Sequence, residues 1–179
     1  MLAESDTALA VVDVQEKLVP AMAERPSLVA NLQTVIRGAR ILDLPVLWVE
    51  QYPQGLGSTI SELEELLGGF RPQPKNCLSA CGLPEFVEAL EATGQRQVLL
   101  VGLEAHVCVY QTAIHLLENG YHVEVVGDAV SSRTLENKAI GLRRMERAGA
   151  EITSVEMALF ELLGRSDRPE FKELSKLVR

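Results

Sequence analysis

Short apolar runs alternate along this chain with longer stretches in which apolar residues recur every three or four positions. Residues 8–12, 46–49 and 98–101 (in a strand expected from Gln97) are apolar runs of strand length, and they lack the in–out alternation of a sheet face open to water. They read as strands buried on both faces. Residues 122–126 and 151–153 add two more, and a brief strand is expected over 75–80. The helical stretches lie between them. Over 27–42, Leu28, Leu32, Val35, Ile36, Ala39 and Leu42 keep to one face. Over 107–119, Val109, Ala113, Leu116 and Leu117 do the same, and Gly120 is a natural left-handed stop. Further helices are predicted at 84–93, opened by Pro84, at 135–148, closed by Gly149, and at 155–163. Residues 59–67 read as a short acidic helix, 51–58 as a loop broken by Pro53, Gly55 and Gly57, and the charged tail 168–179 as a surface helix.

Strands alternating with helices predict an α/β protein: a three-layer α/β/α fold around a six-stranded, mainly parallel sheet. With strand order 3-2-1-4-5-6, strands one and four are neighbours where the order reverses. Ligands bind at such a reversal, beyond the carboxyl ends of the strands. Asp13 follows the first strand, and Cys108 stands between the fourth strand and the helix after it. In that order both face one crevice.

Composition narrows the picture. One domain is expected over residues 1–179, with a core at about 7–163, and the 47% of hydrophobic residues and 23% of charged ones are ordinary for a globular chain. A net charge of −8 without a basic run argues against a nucleic-acid or anionic-membrane partner. Three cysteines leave at least one unpaired and suggest no disulfide framework, which favours a reducing compartment. With no signal-peptide pattern at residues 1–7 and no apolar run of ~20 residues, a cytoplasmic protein is expected.

Cys108 is the candidate nucleophile. At the amino end of a helix, unpaired N–H groups and the helix dipole favour a thiolate, although a cysteine taken alone is more often a small buried hydrophobe. A thiol attacking a carbonyl needs a base within reach, a field favouring the anion and donors for the oxyanion. Asp13 could take the proton, and Lys75 could hold that carboxylate and stabilise the thiolate. Alone, Asp13 would read as a loop cap and Lys75 as a surface lysine. His106 lies two residues before Cys108, but neighbouring turn residues usually diverge, so it reads as structural or pocket-lining. His115 and His122 read as ordinary histidines, Trp48 as core, and Cys77 and Cys81 as too few for a tetrahedral metal site.

Several motifs occur in a recognisable order: Val12-Asp13-Val14-Gln15, Glu50-Gln51-Tyr52-Pro53 with Gly55-Leu56-Gly57, Lys75 after Pro74, Gly102-Leu103-Glu104-Ala105-His106-Val107-Cys108-Val109, Asp128-Ala129-Val130-Ser131-Ser132-Arg133, and Glu156-Met157. The ordered set resembles the isochorismatase-like hydrolases, most of all the isochorismatase domain-containing branch, over about residues 7–163. That resemblance implies Asp13 as general base, Lys75 as electrostatic partner and Cys108 as nucleophile. It also implies a cis peptide between Leu103 and Glu104, which would aim the N–H groups of Glu104 and Cys108 at the substrate oxygen. By the same likeness Gln15, Gln51, Tyr52 and His106 line the pocket, and the protein is a homo-oligomer acting on a small molecule.

The departures from the family pattern carry information too. Nicotinamidase-type members hold a metal with an aspartate and histidines after the second strand. Here that loop reads Glu50-Gln51-Tyr52, and no histidine precedes His106, so no metal and no cofactor are expected. Isochorismatase itself is similar in fold but uses no cysteine, and Cys108 therefore points away from vinyl-ether hydrolysis. Cys77, Leu78 and Cys81 stand where the branch often carries aromatic residues, which alters the pocket. The reading is a metal-independent cysteine hydrolase that opens a small amide, imide or ester through a thioester at Cys108. Its rival is a non-catalytic oligomeric binding or interaction module on the same fold. Turnover that depends on Cys108 separates the two.

Overall fold

Strands without a polar face need cover on both sides, and right-handed crossovers supply it by sending helices to both faces of one sheet. The computed structural model describes residues 1–178. Its elements run β1 (Thr7–Val12), α1 (Arg25–Ile41), β2 (Val46–Gln51), α2 (Pro53–Leu56), α3 (Ser61–Glu64), β3 (Gln73–Lys75) and α4 (Pro84–Thr93). They continue as β4 (Gln97–Leu103), α5 (Cys108–Glu118), β5 (His122–Ser131), α6 (Leu135–Arg147), β6 (Glu151–Thr153), α7 (Val155–Leu163) and α8 (Phe171–Leu177). All six strands pair in parallel in the expected order, β3-β2-β1-β4-β5-β6.

Alternate residues of the central strands enter two separate cores. Leu9, Val11, Leu99 and Val101 pack with α1, α7 and α8 through Leu32, Ile36, Leu159 and Leu174. Ala8, Ala10, Val98 and Leu100 pack with α4, α5 and α6 through Phe86, Val109, Leu116 and Met145. Each large side chain so buried contributes about 1.5–3 kcal/mol, so the middle of the sheet is a rigid platform. The six predicted apolar positions of the first long helix are all buried. Among the described residues no helix is long and apolar enough to cross a membrane.

The structure corrects five of the expected elements. The third strand ends at Lys75 rather than beginning there, and residues 80–82 form a 3₁₀ turn. The predicted loop after β2 contains the single helical turn α2, and the acidic helix shrinks to α3. β5 continues past Gly127-Asp128 to Ser131, because the strand changes register there. Val125 pairs with Leu100, whereas Val130 and Ser131 pair with Gly102 and Leu103. Asp128, which resembles a turn residue, uses Oδ1 to accept the Val155 N–H at the start of α7 (2.9 Å). The tail helix is shorter than predicted, and its expected last residue, Arg179, lies outside the described residues.

Gly102 lies where β4 passes the end of β1. Its φ is +138°, and a Cβ on it would lie 2.1 Å from the carbonyl oxygen of Val12. That oxygen is backbone and cannot swing aside. Gly102→Ala should therefore destabilise the fold by roughly 3 kcal/mol or more, from combined strain and overpacking. It should also displace Asp13, the next residue along from Val12. Chemical denaturation checks the first effect, and a mutant stable to within 0.5 kcal/mol (about the range of ordinary surface changes) would contradict it.

Candidate active site

β1 and β4 are neighbours at the strand-order reversal; Asp13 follows β1, Cys108 opens the helix after β4, and Lys75 reaches them from the end of the edge strand β3. Asp13 is the first residue beyond β1. It adopts a left-handed φ of +57°, and its N–H still donates to Val49 on β2 (3.1 Å). This turns the side chain out of the strand and into the crevice. Lys75 closes β3. Its Nζ lies 2.8 Å from Asp13 Oδ2, and both side chains are fully buried. The ammonium also donates to Gln51 Oε1 at 2.7 Å, to the carbonyl of Leu78 at 3.1 Å and, more weakly, to that of Cys77 at 3.3 Å. A buried cation is tolerated only when its protons are met in this way.

Cys108 is the first residue of α5, so its N–H is among the four that a helix leaves unpaired at its start. Only 6% of the residue is exposed. Burial, and then the Asp13 charge, push its thiol up to about 12. Lys75 pulls the other way, and Glu104 adds to the rise. Desolvation and a neighbouring carboxylate thus oppose the thiolate that the helix start favours. Desolvation also raises the Asp13 carboxyl above its ordinary value, against the pull of Lys75. Asp13 Oδ1 is buried and accepts no hydrogen bond of ordinary geometry among the described residues, while Lys75, then the Cys108 thiol and the Gln51 backbone, act on this carboxylate. The site at rest holds a thiol, a carboxylate with one oxygen in use and one open, and a fully engaged ammonium.

The turn between β4 and α5 differs from the expected one. No cis peptide occurs among the described residues, so the bond between Leu103 and Glu104 is trans. Glu104 itself makes the reversal, at φ +57°, and its carbonyl accepts the N–H of Val107 at 2.8 Å. Its side chain is gripped on both sides, by Arg133 Nε at 3.1 Å and by His106 Nδ1 at 3.5 Å. His106 also meets Ser132 Oγ at 3.0 Å. These contacts tie the Glu104 turn to the end of β5. Arg133 was visible in the sequence only as the end of a motif, without a role.

The four suggested pocket residues separate. Gln15 is fully buried and works as a strut: its Oε1 accepts the Gln51 N–H (2.8 Å), and its Nε2 donates to the carbonyls of Gln51 (2.9 Å) and Gly57 (2.7 Å). Gln51 reaches the triad through Lys75. Tyr52 is 53% exposed on the adjoining loop, its N–H donating to the Lys75 carbonyl (2.8 Å). His106 is committed to Glu104 and Ser132. Behind the loop, Trp48 Nε1 donates to Thr59 Oγ1 (2.7 Å), which in turn donates to the buried Glu50 (2.8 Å). This network fixes the second strand's end but touches none of the three central residues. A cavity lined by Cys81, Phe86, Leu90, Arg96, Leu116 and Tyr121 lies between α4 and α5, likewise away from them.

Comparison with known proteins follows the same lines as the geometry. The profile of the isochorismatase domain matches residues 7–157. Isochorismatase domain-containing protein 1 of Salmo salar is 40% identical over 168 residues, which are 93% of this chain but only 59% of that longer relative. A solved structure described as the MAR1 ribonuclease of Caenorhabditis elegans superposes with a TM-score of 0.94 at 40% identity, over 99% of this chain and 91% of that one. The YcaC gene product of Escherichia coli, described as an octameric hydrolase of unknown specificity, gives a TM-score of 0.93 at 26% identity, over 98% of this chain and 88% of that one. The chain belongs to the isochorismatase domain family.

Proposed function

We propose that this protein is a cysteine hydrolase that needs no metal and opens a small amide, imide or ester. The observation that carries the reading is the buried Asp13 carboxylate, held by Lys75 on Oδ2 with Oδ1 unpaired among the described residues, and the buried Cys108 thiol acting on that carboxylate. As Cys108 Sγ attacks the substrate carbonyl, its proton passes to Asp13. The N–H of Cys108, unpaired at the start of α5, receives the developing oxyanion. When the C–N or C–O bond breaks, Asp13 returns the proton to the leaving amine or alcohol, and a thioester remains. Water, giving its proton to Asp13, then attacks the thioester. The acid leaves, and Sγ recovers its proton. Lys75 stays charged throughout and keeps Asp13 ionised in a buried site.

The C. elegans relative brings RNA cleavage into view. A net charge of −8, and a site lysine that is buried and fully engaged, argue for a small uncharged electrophile here instead. The octameric relative supports a homo-oligomer, and three free cysteines fit a reducing cytoplasmic setting.

Acid quenching during turnover of a panel of small amides, imides and esters tests the reading. Peptide mass spectrometry should find the acyl group on Cys108, and Cys108→Ala should abolish both adduct and turnover. Turnover that survives in Cys108→Ala rules the mechanism out. An absence of turnover across the panel, with Cys108 open to alkylation, favours the binding module.

A further inference from the structure

Gln51 and Lys75 are register partners on adjacent parallel strands, so their side chains leave the same face of the sheet side by side. The Gln51 amide has a fixed orientation. Its Nε2 donates to the carbonyl of Asn76 at 3.0 Å, so Oε1 must face the Lys75 ammonium, which it does at 2.7 Å. Its backbone is clamped in both directions by Gln15. The ammonium has three protons. One goes to Gln51, one to Asp13 Oδ2, and one is shared by the carbonyls of Leu78 and Cys77. None remains for Asp13 Oδ1, which is left without a hydrogen bond.

We propose that Gln51 is a positioning residue which, by taking one Lys75 proton, confines that lysine to a single Asp13 oxygen and keeps the other free to receive the Cys108 proton. The inference rests on the hydrolase reading above and deepens it. Without the amide, the freed N–H bridges both carboxylate oxygens, and the base weakens. A neutral amide is also the right acceptor for the task. A carboxylate in its place competes with Asp13 for the ammonium, adds negative charge and makes Asp13 harder to ionise. The charged groups facing this reaction are Lys75 from β3, acting on Asp13 and Cys108, and Glu104 from the turn after β4, acting on the thiol.

The test uses iodoacetamide as the probe and reads the rate of Cys108 alkylation from pH 4 to pH 10 by peptide mass spectrometry. The wild-type rate falls on the acidic side as Asp13 is protonated. Gln51→Leu should move that acidic limb down by about one pH unit and lower the plateau about tenfold, because the base is weaker. Gln51→Glu should move the limb up by about one pH unit. Shifts of opposite sign are a signature that mere loosening of the loop does not give. Should Gln51→Leu fail to fold, the isosteric glutamate variant decides alone. Limbs that coincide with wild type in the folded variants overturn the role of Gln51. Asp13→Asn separates the two levels of the reading. If it erases the limb while both Gln51 variants leave it in place, only the Gln51 inference falls. If it leaves the limb intact, the hydrolase reading fails and the inference with it.

Discussion

Asp13→Asn should lower Cys108-dependent turnover at neutral pH by about 10²- to 10⁴-fold, the usual contribution of a positioned general base. Asparagine keeps the size of the side chain and an oxygen for Lys75 but cannot accept a proton. The loss is large because the thiol does not ionise by itself. Burial and the Asp13 charge push its pKa well above the ordinary thiol range, so at neutral pH the thiol form dominates. Sulfur must therefore lose its proton during attack, to a base already in place. The sign of the pH effect follows. Asp13 is raised above its ordinary value yet must be ionised to act, so wild-type turnover falls as pH drops through the Asp13 pKa. In Asp13→Asn that limb disappears. The Asp13 charge no longer opposes the thiolate, so residual activity should climb with pH across the alkaline range. Initial-rate profiles of the two proteins check this, and parallel profiles of equal height would exclude Asp13 as base.

How much of this could be read from the chain depended on what each residue's neighbours in sequence could convey. The sheet and its order were legible, since continuous apolar runs between amphipathic helices leave few arrangements other than a doubly covered parallel sheet. The meeting of Asp13, Lys75 and Cys108 was legible only jointly with motif order, because no local pattern makes residues 62 positions apart touch, as Lys75 and Asp13 do. Boundaries failed where polar residues served tertiary ends. Asp128 resembled the close of β5 but caps α7. Lys75 resembled the start of a strand because the apolar residues after it suggested one.

The surroundings of Cys108 were only partly legible for a related reason. Its position at a helix start is local and visible in sequence. The burial and the carboxylate that oppose it come from β1 and from the packing of α5 on the sheet. Gln51 was read as one pocket residue among four. Its register with Lys75 depends on the end of β3, the boundary the sequence placed wrongly. The sequence pointed to Glu104 only through its backbone, whereas the contacts of Arg133 and His106 with its side chain needed the extension of β5 to Ser131.

The largest expected loss of stability is at Lys75. Lys75→Met keeps much of the side-chain volume but removes the cation, leaving Asp13 buried and the oxygens of Gln51 and Leu78 without their donor. Breaking a buried pair from one side in this way costs about 3–5 kcal/mol. The penalty depends on pH, and its sign can be worked out. In the unfolded chain the Asp13 carboxyl titrates near 3.9. In the folded wild type it is already raised by burial, and Lys75 is the chief influence holding it down. Without Lys75 the folded value rises further, so between the two values the folded variant binds more protons than the unfolded chain. Stability must then increase as pH falls through the folded pKa. Urea unfolding should accordingly find Lys75→Met closer to wild type at pH 5 than at pH 8. Adding Asp13→Asn should restore part of the stability at pH 8, because the uncompensated charge is gone, and the double variant should be more stable than the sum of the single losses allows. A deficit equal at both pH values, together with simple additivity in the double variant, would show that the two residues do not act as a buried ion pair. With it would go the argument that Lys75 keeps Asp13 ionised for Cys108.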